Sequence, residues 1–159
     1  MFGKSKPKEY HVLAPMSGTA KRLETVEDEA FAEKMLGDGA AVLPDSGMIF
    51  SPVAGVVVDI TDTKHAFCIT THEGTDVLLH VGINTVNLKG EGFQVVVKSG
   101  DTVAAGDKLA EVDLSLLEKH GMPFDTPVLL TEPDQFEITH ISTGKLRGGS
   151  DVLFTYKKR

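Results

Sequence analysis

After about residue 10 the chain alternates apolar and polar positions with a period of two, in short runs cut by glycine and proline. His11-Val-Leu-Ala14 enters a turn at Pro15–Gly18, and Ala40-Ala-Val-Leu43 stops at Pro44-Asp-Ser-Gly47. Met48-Ile-Phe50 leads into Pro52, and Val56–Ile60 follows Gly55. His65–Thr71 and Thr75–Val81 flank Glu73-Gly74. Phe93–Lys98, Lys108–Val112, Val128–Thr131 and Val152–Tyr156 complete the set. Short alternating runs bounded by turn residues predict an all-β, antiparallel sandwich or barrel. Two stretches carry helical signals instead. Asp28–Leu36 begins with acids and ends at Gly37, and Leu114–His120 follows a candidate cap at Asp113 and stops at Gly121. Neither is long enough to build a helical layer, so the expectation is a β fold with one or two short helices.

Leu13-Ala-Pro-Met-Ser-Gly-Thr-Ala20 and Phe50-Ser-Pro-Val-Ala-Gly-Val-Val57 share the order apolar, small, Pro, apolar, small, Gly. The matching flanks read as an internal duplication rather than two unrelated Pro-x-x-Gly turns. Residues 1–9 are polar and lysine-rich and read as a tail, leaving 10–159 as a single domain. The 159 residues carry 41% hydrophobic and 25% charged positions, an ordinary globular balance. A net charge of −7 argues against general affinity for nucleic acid or anionic membranes. No apolar run approaches the roughly 20 residues of a membrane-spanning helix, and the N-terminus lacks a secretory h-region. With Cys68 as the single cysteine, no internal disulfide can form. These features predict a cytoplasmic protein without membrane insertion.

Six histidines stand at 11, 65, 72, 80, 120 and 140. A two-residue Glu73-Gly74 loop would pair residues whose numbers sum to 147, setting Phe67 opposite His80 and His65 opposite Gly82. His65 and His80 would then be diagonal neighbours on one face, about 7–8 Å apart between Cα atoms. A change of loop parity would send them to opposite faces. Such a pair can bind metal, act as base and nucleophile, or accept a phosphoryl group. A zinc site needs further donors. Strand parity turns Cys68 and Asp76 away from His65, and the His-x-His pair of lysostaphin-type zinc hydrolases is absent, since Leu78 and Gly82 flank His80. A nucleophilic imidazole needs a fixed tautomer, which a bond from its other nitrogen to a backbone carbonyl supplies. Gly82 allows the backbone to approach closely enough. Thr63 offers a hydroxyl to orient His65. There is no phosphate-binding glycine loop and no magnesium cluster, so a phosphoryl group would have to arrive already activated, from another protein.

The chain resembles the glucose-type IIA component of the bacterial phosphoenolpyruvate-dependent sugar phosphotransferase system. The likeness runs from about residue 11 to 156. It rests on Ala14-Pro-Met-Ser-Gly18, Phe31-Ala-Glu-Lys34, Gly37-Asp-Gly39, Ser51-Pro-Val-Ala-Gly55, Thr63-Lys-His-Ala-Phe67, Val77-Leu-Leu-His-Val-Gly-Ile-Asn-Thr-Val86 and Leu88-Lys-Gly-Glu-Gly-Phe93. The resemblance implies a sandwich of the duplicated hybrid motif type, with no cofactor and no metal. It implies that His80 is phosphorylated on Nε2 by the phosphocarrier HPr. His65 would then assist transfer to a cysteine of a IIB domain, and Thr63 would orient His65. It also implies a docking ring of Asp28, Phe31, Met35, Leu36, Leu78, Asn84 and Val86. Asn84 stands where the family often has aspartate, which predicts weaker electrostatic steering of HPr. Regulatory binding of the unphosphorylated protein is a further implication of the family. A swinging-cofactor carrier, suggested by the Pro-Val-Ala-Gly turn, lacks the required lysine at a hairpin tip. The transported sugar is not encoded in this chain.

Overall fold

A computed structural model describes residues 8–159. Its strands are β1 (Glu9–Leu13), β2 (Gly18–Arg22), β3 (Asp38–Pro44), β4 (Met48–Phe50), β5 (Gly55–Ile60), β6 (Ala66–Thr71) and β7 (Asp76–His80). They continue as β8 (Phe93–Val95), β9 (Thr102–Val103), β10 (Lys108–Val112), β11 (Thr126–Leu130), β12 (Phe136–Ile141), β13 (Lys145–Leu146) and β14 (Val152–Lys158). Two short helices, α1 (Glu29–Ala32) and α2 (Leu114–Lys119), interrupt them. Of the expected tail, residues 1–7 lie outside the described residues, while Glu9 already pairs with Lys157 in β1.

The strand order shows the duplication. One antiparallel sheet runs β13-β2-β3-β11-β7-β6-β5-β9, and two three-stranded sheets run β1-β14-β12 and β4-β10-β8. Exchanging β2 with β5, β3 with β6, β11 with β7 and β1 with β4 maps each half onto the other. The two Pro-x-x-Gly segments sit at the crossing and bond reciprocally. Leu13 N–H donates to Pro52 O (2.9 Å), and Phe50 N–H to Pro15 O (2.8 Å). The next residues match as well: Ala14 N–H donates to Asp151 O (2.8 Å) and Ser51 N–H to Asp107 O (2.7 Å). Each glycine is dictated by crowding. A Cβ on Gly18 would lie 2.1 Å from Leu43 O, and one on Gly55 would lie 2.2 Å from Thr70 O. The edge strands β13 and β9 do not pair with each other, so the barrel alternative is not realised and the fold is sandwich-like.

The large sheet is apolar on both faces. On the inner face Phe67, Ile69, Val77, Leu79 and Val128 join Val12, Phe154 and Tyr156 in the main core. Each fully buried side chain of this kind stabilises by about 1.5–3 kcal/mol before the entropy of ordering is subtracted. On the other face a small cluster of Leu23, Val26, Phe31, Ala41, Ile83 and Leu129 packs against Leu78. The β2–β3 connection, which contains α1, covers that face over one repeat. His80, at the end of β7, lies at the border of this cover.

Several elements differ from the sequence pattern. The first helix ends at Ala32 instead of Leu36, and the chain reaches Gly37 through a turn in which Lys34 is left-handed (φ 60°). Strands β2, β9, β12 and β13 carry no clean alternation. In β12 the register slips between Ile138 and His140, and a bulge shifts the period by one. The second helix forms as expected, with Asp113 accepting from Ser115 N (3.0 Å) and Gly121 at φ 66°.

Candidate functional site

The hairpin that presents His80 has a different register from the one the turn residues predict. Ala66 faces His80, Phe67 faces Leu79 and Thr70 faces Asp76. These numbers sum to 146, because Thr71 N–H donates to Thr75 O (2.9 Å) across a three-residue loop, His72-Glu73-Gly74. Parity alone would then separate the two rings. They meet nonetheless, with centroids 4.8 Å apart and planes at 80°. The reason is local: His65 precedes β6, and Lys64 before it is left-handed (φ 63°). The chain leaves the pleat there, so the alternation that governs β6 does not govern His65. The same register puts Cys68 opposite Leu78, on the His80 face, and Asp76, four residues before His80 in β7, shares that face in any register, both contrary to the expected orientation. Burial, followed by the carboxylates of Asp76 and Asp59, pushes the Cys68 thiol up, which disfavours the thiolate a metal would need. Among the described residues no group of three or more His, Cys, Asp or Glu is placed to hold a metal.

His80 Nδ1 lies 2.8 Å from Gly82 O. A carbonyl only accepts, so the proton is on Nδ1 and the neutral ring keeps its lone pair on Nε2. Gly82 has φ 73°, and a Cβ there would lie 2.6 Å from Thr85 Cγ2 and 3.0 Å from Leu117 Cδ2. Only glycine delivers this carbonyl to the ring. His65 Nδ1 is 2.7 Å from Thr63 Oγ1. A second hydroxyl, Thr61 Oγ1, lies 3.4 Å from the same nitrogen. Sequence pattern gives no sign of Thr61, because only the left-handed turn at Lys64 brings it back to His65. Phe31 closes the other side of His80 at 4.9 Å between centroids.

Both imidazoles are held neutral. Burial, then the neighbouring His65, push His80 down to about 4; the Gly82 bond and Asp28 act weakly the other way. Burial likewise lowers His65, which is 6% exposed. A neutral ring with a fixed proton on Nδ1 is a nucleophile at Nε2 across the physiological range.

Around the pair the expected ring divides into two kinds of residue. Phe31 is 5% exposed and packs against His80, and Leu78 is partly buried against the cluster that contains Phe31. Met35 (69%), Leu36 (45%) and Val86 (49%) project into solvent. Asp28 is the N-cap of α1 and accepts from Ala30 N (2.9 Å) and Phe31 N (3.3 Å). Asn84 is exposed in a left-handed conformation (φ 63°). Exposed apolar side chains such as these suit docking of another protein, not enclosure of a small molecule.

Comparison with known proteins agrees with this geometry. Residues 10–136 match the family model of the phosphoenolpyruvate-dependent sugar phosphotransferase system, EIIA 1. The glucose-specific EIIA component of Halalkalibacterium halodurans is 44% identical over 152 residues, covering 95% of this chain and 88% of that protein. That of Bacillus cereus is 40% identical, covering 94% and 92%. An N-acetylglucosamine-specific EIICBA component of Klebsiella pneumoniae is 38% identical; 92% of this chain matches 23% of it. The solved structure of glucose permease IIA from Mycoplasma capricolum superposes with a TM-score of 0.88 at 40% identity, covering 98% of this chain and 99% of that one. The chain belongs to the EIIA 1 family of the phosphoenolpyruvate-dependent sugar phosphotransferase system and acts as a phosphocarrier within it.

Proposed function

We propose that Nε2 of His80 is the phosphoryl acceptor, that phospho-HPr is the donor, and that a cysteine of a IIB domain is the recipient. The observation that carries this reading is the 2.8 Å bond from His80 Nδ1–H to Gly82 O. In the first step the N–P bond of the donor phosphohistidine breaks as the Nε2–P bond forms. In the second, a IIB thiolate displaces phosphorus from Nε2. His65 serves the second step. With Thr63 Oγ1–H donating to its Nδ1, its Nε2–H is left to donate to phosphoryl oxygens, which become more negative in transfer.

Both partners would use one face. Met35, Leu36 and Val86 provide exposed apolar contact, and the net charge of −7 favours basic partners. Residues 10–159 act as one domain, and the site of action is the cytoplasm. The single cysteine, Cys68, fits a reducing compartment. No helix among the described residues is long and apolar enough to cross a membrane.

The test is incubation with phosphoenolpyruvate, Enzyme I and HPr, followed by mass measurement. The protein gains one acid-labile phosphoryl group, and His80→Gln gains none. His65→Gln accepts the group but does not deliver it to IIB. Phosphorylation of His80→Gln would refute the assignment. Running the delivery step against IIB domains of glucose and N-acetylglucosamine permeases identifies the sugar branch.

A further inference from the structure

The carbonyl that fixes the His80 tautomer is itself held in place by side chains far apart in sequence. Thr85 Oγ1–H donates to Val81 O at 2.6 Å. On the other side of the same peptide plane, Gly82 N–H donates to Thr126 Oγ1 at 3.4 Å. Thr126 in turn donates to Phe124 O at 2.9 Å. Both threonines are 0% exposed. The next peptide plane, which carries Gly82 C=O, is tied at its other end, where Ile83 N–H donates to Pro123 O at 3.1 Å. Peptides are rigid planes, so holding one edge aims the other. Glycine at position 82 would otherwise leave these two planes free to rotate.

We propose that Thr85 and Thr126 are positioning residues for phosphoryl transfer. Their hydroxyls clamp the Val81–Gly82 peptide, aim Gly82 C=O at His80 Nδ1, and so keep the lone pair on Nε2. The inference rests on His80 Nε2 being the acceptor. It assigns two residues outside the histidine pair and its docking ring, 46 positions away from His80 at the farther one. One arm of the clamp, Thr126, comes from β11, which neighbours β7 in the sheet, so the acceptor's tautomer depends in part on a strand from the other repeat.

The test reads the ring directly. In protein labelled with ¹⁵N-histidine, long-range proton–nitrogen correlation distinguishes Nδ1–H from Nε2–H imidazole, with no phosphoryl donor present. The wild-type protein shows His80 as Nδ1–H. Thr85→Val and Thr126→Val keep the side-chain volume and remove the hydroxyl. Each raises the Nε2–H population about fivefold, the scale of one lost hydrogen bond. The rate of phosphoryl acceptance at saturating HPr falls as that population grows, and Thr85→Ser restores both. Thr155→Val, a buried threonine of the β1-β14-β12 sheet, lowers Tm without moving the tautomer ratio. If a valine variant fails to fold, Thr85→Cys and Thr126→Cys report the same shift with smaller amplitude. Folded variants whose tautomer ratio stays at the wild-type value would overturn the clamp. That outcome with His80 still phosphorylated sinks the clamp alone, whereas phosphorylation of His80→Gln sinks the acceptor assignment and leaves the tautomer result standing.

Discussion

His80 sits half inside the protein, and its burial makes the fold sensitive to acid. Its folded pKa of about 4 lies below the ordinary histidine value of 6.5. Between those values the unfolded chain binds more protons than the folded one, so stability rises with pH. The stabilisation is complete above pH 6.5 and is lost as pH falls toward 4. At pH 5 the loss relative to pH 7.5 is about 1–2 kcal/mol, discounted for the partial exposure of the ring. Denaturant melts at both pH values should show this difference in the wild-type protein and less of it in His80→Gln. The same neutrality sets the chemistry. The rate of phosphoryl acceptance should stay flat from pH 8 to about 5 when HPr is kept fully phosphorylated, since protonation of Nε2 begins only below that range. A rate that halves near pH 6.5 would mean that the ring titrates like a free histidine. The residue types are legible in the sequence: paired histidines, a glycine two positions after one of them, and a threonine two positions before the other. Their pKa values are not, because burial is a sum over neighbours contributed by the whole chain.

At the scale of elements, α1 shows how a single carboxylate can serve two purposes. Asp28 caps the helix that holds Phe31 against His80, and its charge is also the one expected to face a basic partner. The two roles separate by substitution. Asp28→Asn keeps a good N-cap and removes the charge, so thermal stability should stay near wild type while association with a basic partner slows. Asp28→Ala removes both and should cost about 1 kcal/mol in addition. Equal stability of the two variants, read by thermal melts, would exclude the capping role. Gly82→Ala tests the other support of the site. The strained φ and the contact with Thr85 should destabilise by about 1–3 kcal/mol and lower phosphoryl acceptance further than stability explains. Sequence pattern locates most strands but misjudges those whose period is broken, such as β12 with its bulge. It also miscounts the loop at His72–Gly74 by one residue. Turn chemistry ranks loop lengths only by preference, and a single residue reverses every face assignment that follows from it.

For the molecule as a whole, duplication explains where the reactive face lies. The two halves share one sheet, but in the first repeat the outer face is covered by the segment containing α1. In the second, the short Thr61–His65 turn leaves His80 accessible at the border. Met35, Leu36 and Val86 are exposed on a molecule of net charge −7. Charge at the rim acts mainly on the rate of encounter. Asn84→Asp should therefore raise the HPr association rate at low salt by about threefold to tenfold and steepen its salt dependence, with little change in dissociation. Aspartate tolerates the left-handed backbone at this position, so stability should hold. Stopped-flow rates across a salt series decide the point; identical slopes for the two proteins would show that position 84 takes no part in steering.

Residue order alone was enough for the all-β class, the Pro-x-x-Gly duplication, and the two histidines with their Thr63 and Gly82 partners. These are short-range matters, settled by residue type and by spacings of a few positions. It took the folded arrangement to bring the rings together despite a register that would part them, to bury Phe31 while keeping it against His80, and to place Thr61, Thr85 and Thr126 around the site. The physical reason is that a pleat carries face information only while the chain stays in it. At Lys64 the chain leaves the pleat, and at β11 the support arrives from the other half of the fold, where no local pattern extends.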